Sequence, residues 1–207
     1  MKLYLSSFRM GECFDHLVSV LGPGAKVAVV SNALDYIPAD ARRVHAGTGF
    51  DARRVFIDHG LDAFDLDLRD HFDAPQTLEA ALDDVRLVWA VGGNAFLLRR
   101  AMRQSGFDQC VPSRVREGKL IYGGWSAGSV VAGPDLNGIE LVDDPTVTAE
   151  GYEAAVVREG LGLVDFTVVP HYRSDHPEAD AVERVAAFRQ ERRLPFRTLR
   201  DGEVIVV

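Results

Sequence analysis

The run Val27-Ala28-Val29-Val30 is apolar on both sides of an extended chain. A strand built this way has to be covered on both faces, the condition of a central strand in a parallel sheet. Comparable β-branched or apolar runs occupy residues 2–5, 26–30, 64–68, 86–91, 120–122, 166–169 and 203–207. The stretches between them are long enough for crossover helices. Helical patterning covers residues 14–21, roughly 39–60, 77–82, 95–104 and 179–190. The expected fold is therefore α/β: a doubly wound, mostly parallel sheet with helices on both faces. At 207 residues, with no linker or low-complexity tract, one domain is expected to span 1–207. The segment Asp40-Ala41-Arg42-Arg43-Val44 recurs once as Asp51-Ala52-Arg53-Arg54-Val55, too little for a repeat architecture.

Composition narrows the function. With 47% hydrophobic and 26% charged residues, neither disorder nor a fibrous class is expected. A formal charge of -8 disfavours a phosphate-binding surface, so nucleic acid is not an expected partner. The apolar start Met1-Lys2-Leu3-Tyr4-Leu5 turns polar at Ser6-Ser7, too soon for a signal peptide or membrane span. No membrane partner is expected. Cys13 and Cys110 lack a disulfide or metal-ligand pattern, which fits a reducing cytoplasm; both read as small buried residues.

Gly124-Trp125-Ser126-Ala127-Gly128 follows the apolar run Leu120-Ile121-Tyr122 and precedes a helix-like stretch. This is G-x-S-x-G in its strand-to-helix context. A serine on so sharp a turn has a strained backbone and needs small neighbours. The helix beginning there directs N–H groups and a positive dipole end toward the attacking oxygen. A glycine-rich turn whose serine only caps a helix is the structural alternative. Gly92-Gly93-Asn94 also follows a strand, and consecutive glycines let a backbone N–H approach an oxyanion closely. Without G-x-G-x-x-G or a P-loop lysine, nucleotide binding is the weaker use of that turn.

Val168-Val169-Pro170-His171 places a histidine at a strand end, where α/β sheets build their sites. His171 is the expected base for Ser126. His171, Asp175, His176 and Glu178 crowd one segment, but not at a recognised zinc spacing, and no metal is expected. His16, His45, His59 and His71 have no catalytic context. Asp201 is the expected carboxylate partner of the histidine, although Asp-Gly between extended runs is also an ordinary hairpin turn. Asp135, Glu140, Asp143 and Asp175 stay open as alternatives.

Gly92-Gly93-Asn94, Gly124-Trp125-Ser126-Ala127-Gly128 and Pro170-His171, in this order and spacing, resemble the S51 serine peptidases, the peptidase E type. The resemblance runs from about residue 85 to 175. It implies a class I glutamine amidotransferase-like fold with serine replacing that fold's cysteine. It also implies oxyanion donors at the Gly93 and Ala127 N–H groups, and makes Leu199-Arg200-Asp201-Gly202 the counterpart of the family's Leu-Pro-Glu-Gly segment. Gly92, Asn94, Trp125 and Arg173 become candidate substrate-binding positions. The family's aspartyl-binding arginine falls at Ala181 here, with Arg184 one turn later, so strict aspartyl specificity is not expected. The implied function is a cofactor-free serine peptidase hydrolysing short peptides, dipeptidase-like, through Ser126, His171 and Asp201. The rival readings are a catalytically silent peptide- or amino-acid-binding member of the fold and a small esterase. The Ser, His, acid order differs from the Ser, acid, His order of α/β-hydrolase esterases. The assembly state is left open, a homodimer included.

Overall fold

The computed structural model describes residues 1–38, 41 and 50–207. Its elements in chain order are β1 (Leu3–Ser6), α1 (Phe14–Leu21), β2 (Lys26–Val30), α2 (Ala52–Asp58), β3 (Asp62–Asp65), α3 (Gln76–Ala81), β4 (Val85–Ala90), α4 (Ala95–Gln104), α5 (Phe107–Arg116), β5 (Ile121–Trp125), α6 (Ala127–Val130), β6 (Thr167–Val169), α7 (Ala179–Glu191), β7 (Phe196–Thr198) and β8 (Val204–Val206). The expected 39–60 helix is represented by α2. Its first part, with His45 and most of the first copy of the short echo, lies outside the described residues.

The main sheet has the order β3-β2-β4-β5-β1-β8. It is parallel throughout except for β8, which runs antiparallel to β1 at the edge. Side chains alternate between two cores, as a doubly covered sheet requires. Tyr4, Val27, Val29, Leu87, Trp89 and Ile121 enter one, while Leu5, Ala28, Val30, Val88, Ala90 and Tyr122 enter the other. Among the described residues no helix is long and apolar enough to cross a membrane.

Three elements differ from the sequence pattern for local reasons. Strand β3 ends before the expected 64–68 run does, because the Asp67 carboxylate accepts the Arg69 N–H and starts a 3₁₀ turn at Leu68–His71. Helix α5 carries Pro112 in its interior, a residue that normally argues against helix. Strand β6 leaves the main sheet and pairs in parallel with β7, a three-residue strand following Pro195. Cys13 is exposed rather than buried, and Cys110 is half-buried.

The sheet order brings three chain segments side by side. The carboxyl ends of β4, β5 and β1 are neighbours, so the turns at Gly92, Ser126 and Ser7 meet on one edge. Close packing at β4 fixes this edge. A Cβ on Gly124 would lie 2.6 Å from the Ala90 carbonyl oxygen, and one on Gly128 only 2.2 Å from it. Both motif glycines are therefore required by the neighbouring strand. Gly128→Ala should cost about 1–3 kcal/mol or more through overpacking and lower Tm by several degrees, as thermal denaturation can test. An unchanged Tm would show that β4 and the elbow are not in close contact.

Candidate active site

Ser126 sits between β5 and α6 with φ 50° and ψ −117°, the strained backbone of a nucleophile elbow. Its N–H donates to the carbonyls of Ser6 (3.3 Å) and Ser7 (3.1 Å), tying the elbow to the end of β1. Ser129 Oγ lies 2.8 Å from Ser6 O and 2.9 Å from Gly124 O, its one proton shared between the two carbonyls, which holds the next turn against β1 and β5.

His171 lies just past β6, is 2% exposed and has φ 60°. Such a backbone persists only when its surroundings over-determine it. Its N–H donates to Ser7 Oγ at 2.8 Å, and its Nδ1 lies 2.7 Å from Asp201 Oδ1. Ser7 Oγ in turn donates to Asp201 Oδ1 at 3.0 Å. The Asp201 N–H donates to Ser174 Oγ at 2.8 Å. Asp201 occupies the Arg200–Glu203 turn that returns the chain from β7 to β8. It is thus both a turn residue and the partner of the imidazole. Burial pushes the His171 pKa below its ordinary 6.5, with Asp201 opposing and His176 adding to the shift.

Of the other candidate carboxylates, three are engaged elsewhere. Asp135 pairs with the buried Arg189 at 2.9 Å, and Glu140 accepts the Gly138 N–H. Asp143 accepts the Ala95 N–H at 2.8 Å, and Asp175 is exposed.

Ser126 and His171 line one cleft with Phe8, Gly92, Gly93, Asn94, Trp125, Asp143 and Glu178. No hydrogen bond joins Ser126 Oγ to a described residue; serine–histidine contacts commonly tighten only once substrate is bound. A Cβ on Gly92 would lie 3.0 Å from Ser126 Cβ, so the turn after β4 packs directly on the serine. Gly93 has φ 140° and lies against the Ala33 carbonyl, which only glycine permits. The N–H groups of Gly93 and Ala127 donate to no described residue, leaving two backbone donors beside the serine.

The structure places the expected substrate-binding residues differently from one another. Trp125 lines the cleft and meets the Phe8 ring edge-on. Asn94 also borders it, but its side chain is used locally: Oδ1 accepts the Leu97 N–H to cap α4, and Nδ2 donates to Asp144 O. Arg173 points its guanidinium at Glu183 (3.5 Å) and over the Tyr172 ring. Ala181 lies on α7 and contributes no charge.

The nitrogen and oxygen donors of His171, His176 and Glu178 lie within 4.8 Å of one another. The two imidazoles, however, are stacked at 3.8 Å with planes 7° apart. A cation shared between stacked rings would sit far out of both ring planes, where neither lone pair points. Ser7, Phe8 and the stacking of His176 on His171 were not read from the sequence, and Asp143 was read only as an alternative acid. For Ser7 the one signal was the polar switch that ends the first apolar run.

A mostly parallel α/β sheet with a strained serine at its carboxyl edge has the strand–turn–helix arrangement found in nucleophile-elbow hydrolases. The model of peptidase family S51 matches residues 6–207, and this chain belongs to that family of serine peptidases. It is 32% identical over 202 residues to peptidase E of Streptomyces coelicolor, covering 92% of this chain and 71% of that protein. It is 27% identical over 210 residues to an uncharacterized peptidase of Pasteurella multocida, covering 100% of this chain and 93% of the relative. A solved structure from Listeria monocytogenes EGD-e, provisionally named peptidase E, superposes with a TM-score of 0.75 at 20% identity, covering 99% and 93% of the two chains. That likeness establishes the fold.

The Ser7 hydroxyl generates a prediction of its own. Ser7→Ala leaves the buried His171 N–H without its acceptor and Asp201 without one donor. The loss should be about 1–3 kcal/mol of stability together with reduced turnover, read by thermal denaturation and peptide hydrolysis. Wild-type values for both would show that Ser7 does not hold the histidine.

Proposed function

We propose that this chain is a dipeptidase-like serine peptidase acting through Ser126, His171 and Asp201. The observation that carries the reading is the 2.7 Å contact between His171 Nδ1 and Asp201, in the cleft that holds the elbow serine. With Nδ1 held by the carboxylate, Nε2 is the nitrogen left to take the serine proton. Ser126 Oγ then attacks the peptide carbonyl, and the proton passes from His171 to the leaving amine. Asp201 fixes the ring tautomer and stabilises the imidazolium. The Gly93 and Ala127 N–H groups suit the oxygen of the tetrahedral intermediate, since both are preorganised and unspent. Water then repeats the sequence on the acyl-enzyme, with the same histidine as base.

Substrate preference follows from charge. Among the described residues, the cleft carries Asp143, Asp144 and Glu178 against one permanently charged cation, Arg9, which lies over the Phe8 and Phe50 rings. Burial pushes the Asp143 carboxyl up to about 7, the Ala95 N–H opposing and Glu178 adding to the rise. With Asp143 only partly ionised near neutral pH, a carboxylate side chain entering this cleft meets like charge chiefly from Asp144 and Glu178, and Ala181 supplies no compensating cation. The ammonium of a free peptide amino terminus meets the opposite sign. The enzyme thus favours short peptides with neutral side chains over aspartyl ones.

Two measurements test these points. Ser126→Ala should lose on the order of 10⁶ in turnover while keeping its Tm, and the acid limb of kcat/KM in the unaltered enzyme should fall below pH 6.5 because His171 stays neutral to lower pH. Hydrolysis surviving Ser126→Ala refutes the serine mechanism. For specificity, kcat/KM is compared for Asp-Leu, Ala-Leu and Leu-Leu. We expect Asp-Leu to be the poorest, and a thousandfold preference for it would refute the charge argument.

A further inference from the structure

The segment after His171 turns back so that a second imidazole lies on the first. His176 and His171 are stacked at 3.8 Å with an interplanar angle of 7°. Phe8 meets both rings edge-on, each at 5.9 Å between centroids, and so closes the side of the pair. His176 Nδ1 accepts the Glu178 N–H at 3.3 Å, and Glu178 Oε2 lies 3.9 Å from the same nitrogen. Glu178 immediately precedes α7, whose Val182, Val185 and Ala186 are buried in the core. The second ring is therefore anchored to a packed helix, while the first projects from a loop.

The first ring needs that support. His171 has φ 60° and Arg173, two residues on, φ 52°, so the loop bearing the imidazole holds two non-glycine residues in left-handed backbone. Ser7 fixes the His171 backbone N–H, and Asp201 fixes one ring nitrogen. A single hydrogen bond at Nδ1 leaves the ring plane free to rock about that contact. A face-to-face neighbour on one side and an aromatic edge on another remove that freedom.

We propose that His176 is a positioning residue for His171, its stacked ring fixing the plane of the imidazole and thereby the direction of Nε2. This rests on the reading of His171 as the base, and it adds to that reading a residue that touches neither substrate nor the reacting atoms. Aromatic rings stack on their faces, so a phenyl ring can replace the imidazole in this role. The imidazole adds the Nδ1 acceptor that ties it to Glu178. It adds a charge as well: when protonated, His176 repels a proton on His171. The charged and titratable groups facing His171 are His176, Asp201 and Glu178, with the carboxylates acting in the opposite sense.

The experiment uses His176→Phe and His176→Ala in the full chain, with two readouts. The first is NMR titration of the His171 ring, which does not depend on its catalytic role. Both variants lose the repelling charge, so the His171 midpoint should rise in both. The second is kcat/KM at pH 8, where His171 is neutral in all forms. His176→Ala should lose roughly 10- to 100-fold, the scale of a misplaced catalytic group, chiefly in kcat, and His176→Phe should recover most of it. Equal loss in the two variants at unchanged Tm, or no loss in His176→Ala, overturns the proposal. So does a His171 midpoint that stays fixed in both. If instead His171→Ala retains full turnover, the base assignment itself fails and the positioning role falls with it. The NMR shift would then still report the stacked contact, so the two failures are distinguishable.

Discussion

The Ser7 hydroxyl joins the two halves of the site. It accepts the His171 N–H and donates to Asp201, so one oxygen at the end of β1 sets both the backbone of the histidine and the carboxylate on its ring. The arrangement depends on β1 lying between β5 and β8 in the main sheet. Strand β5 delivers Ser126 on one side of β1, and the turn before β8 delivers Asp201 on the other. His171 comes from neither; it arrives from the separate β6–β7 pair. Ser7 Oγ is the point at which that small sheet is keyed to the large one.

A second constraint is steric. Gly92, Gly124 and Gly128 are excluded volumes as much as flexible joints, because a Cβ at any of them would collide with Trp125, Ala90 or the serine itself. The effect is to press the turn after β4 against the elbow after β5. Two backbone N–H groups that donate to no described residue, on Gly93 and Ala127, are thereby held beside Ser126 at no cost in side-chain entropy. This is preorganisation of the kind that makes electrostatic stabilisation effective in a half-buried cleft.

How much of this the sequence discloses varies by element. The sheet strands at 26–30 and 86–91 were readable because runs covered on both faces leave an unmistakable apolar signature. Helices α1 and α4 were readable because their periodicity is uninterrupted. Helix α5 was hidden by Pro112, and β7 by its three-residue length beside Pro195, since neither carries a pattern long enough to overcome a breaker. Within the site, Ser126 and Gly93 are announced by local motifs whose geometry is local. Asp201 was the expected partner of His171, but four other carboxylates stayed open beside it, because its approach to His171 spans 30 residues and is decided by the turn between two different sheets. Ser7 and the stacking of His176 on His171 were illegible for the same reason. A serine 164 residues from its partner and a ring stacked by a loop reversal leave no periodic trace.

The central claim is that Ser126 attacks while Gly93 and Ala127 receive the developing negative charge. A crystal structure of the chain after reaction with a fluorophosphonate tests this directly, because the phosphonyl oxygen imitates the oxyanion in place. The account predicts a covalent bond to Ser126 Oγ, with that oxygen about 2.7–3.1 Å from both backbone nitrogens and His171 still bonded to Asp201. An adduct on another residue, or a phosphonyl oxygen turned away from Gly93 and Ala127, would contradict it.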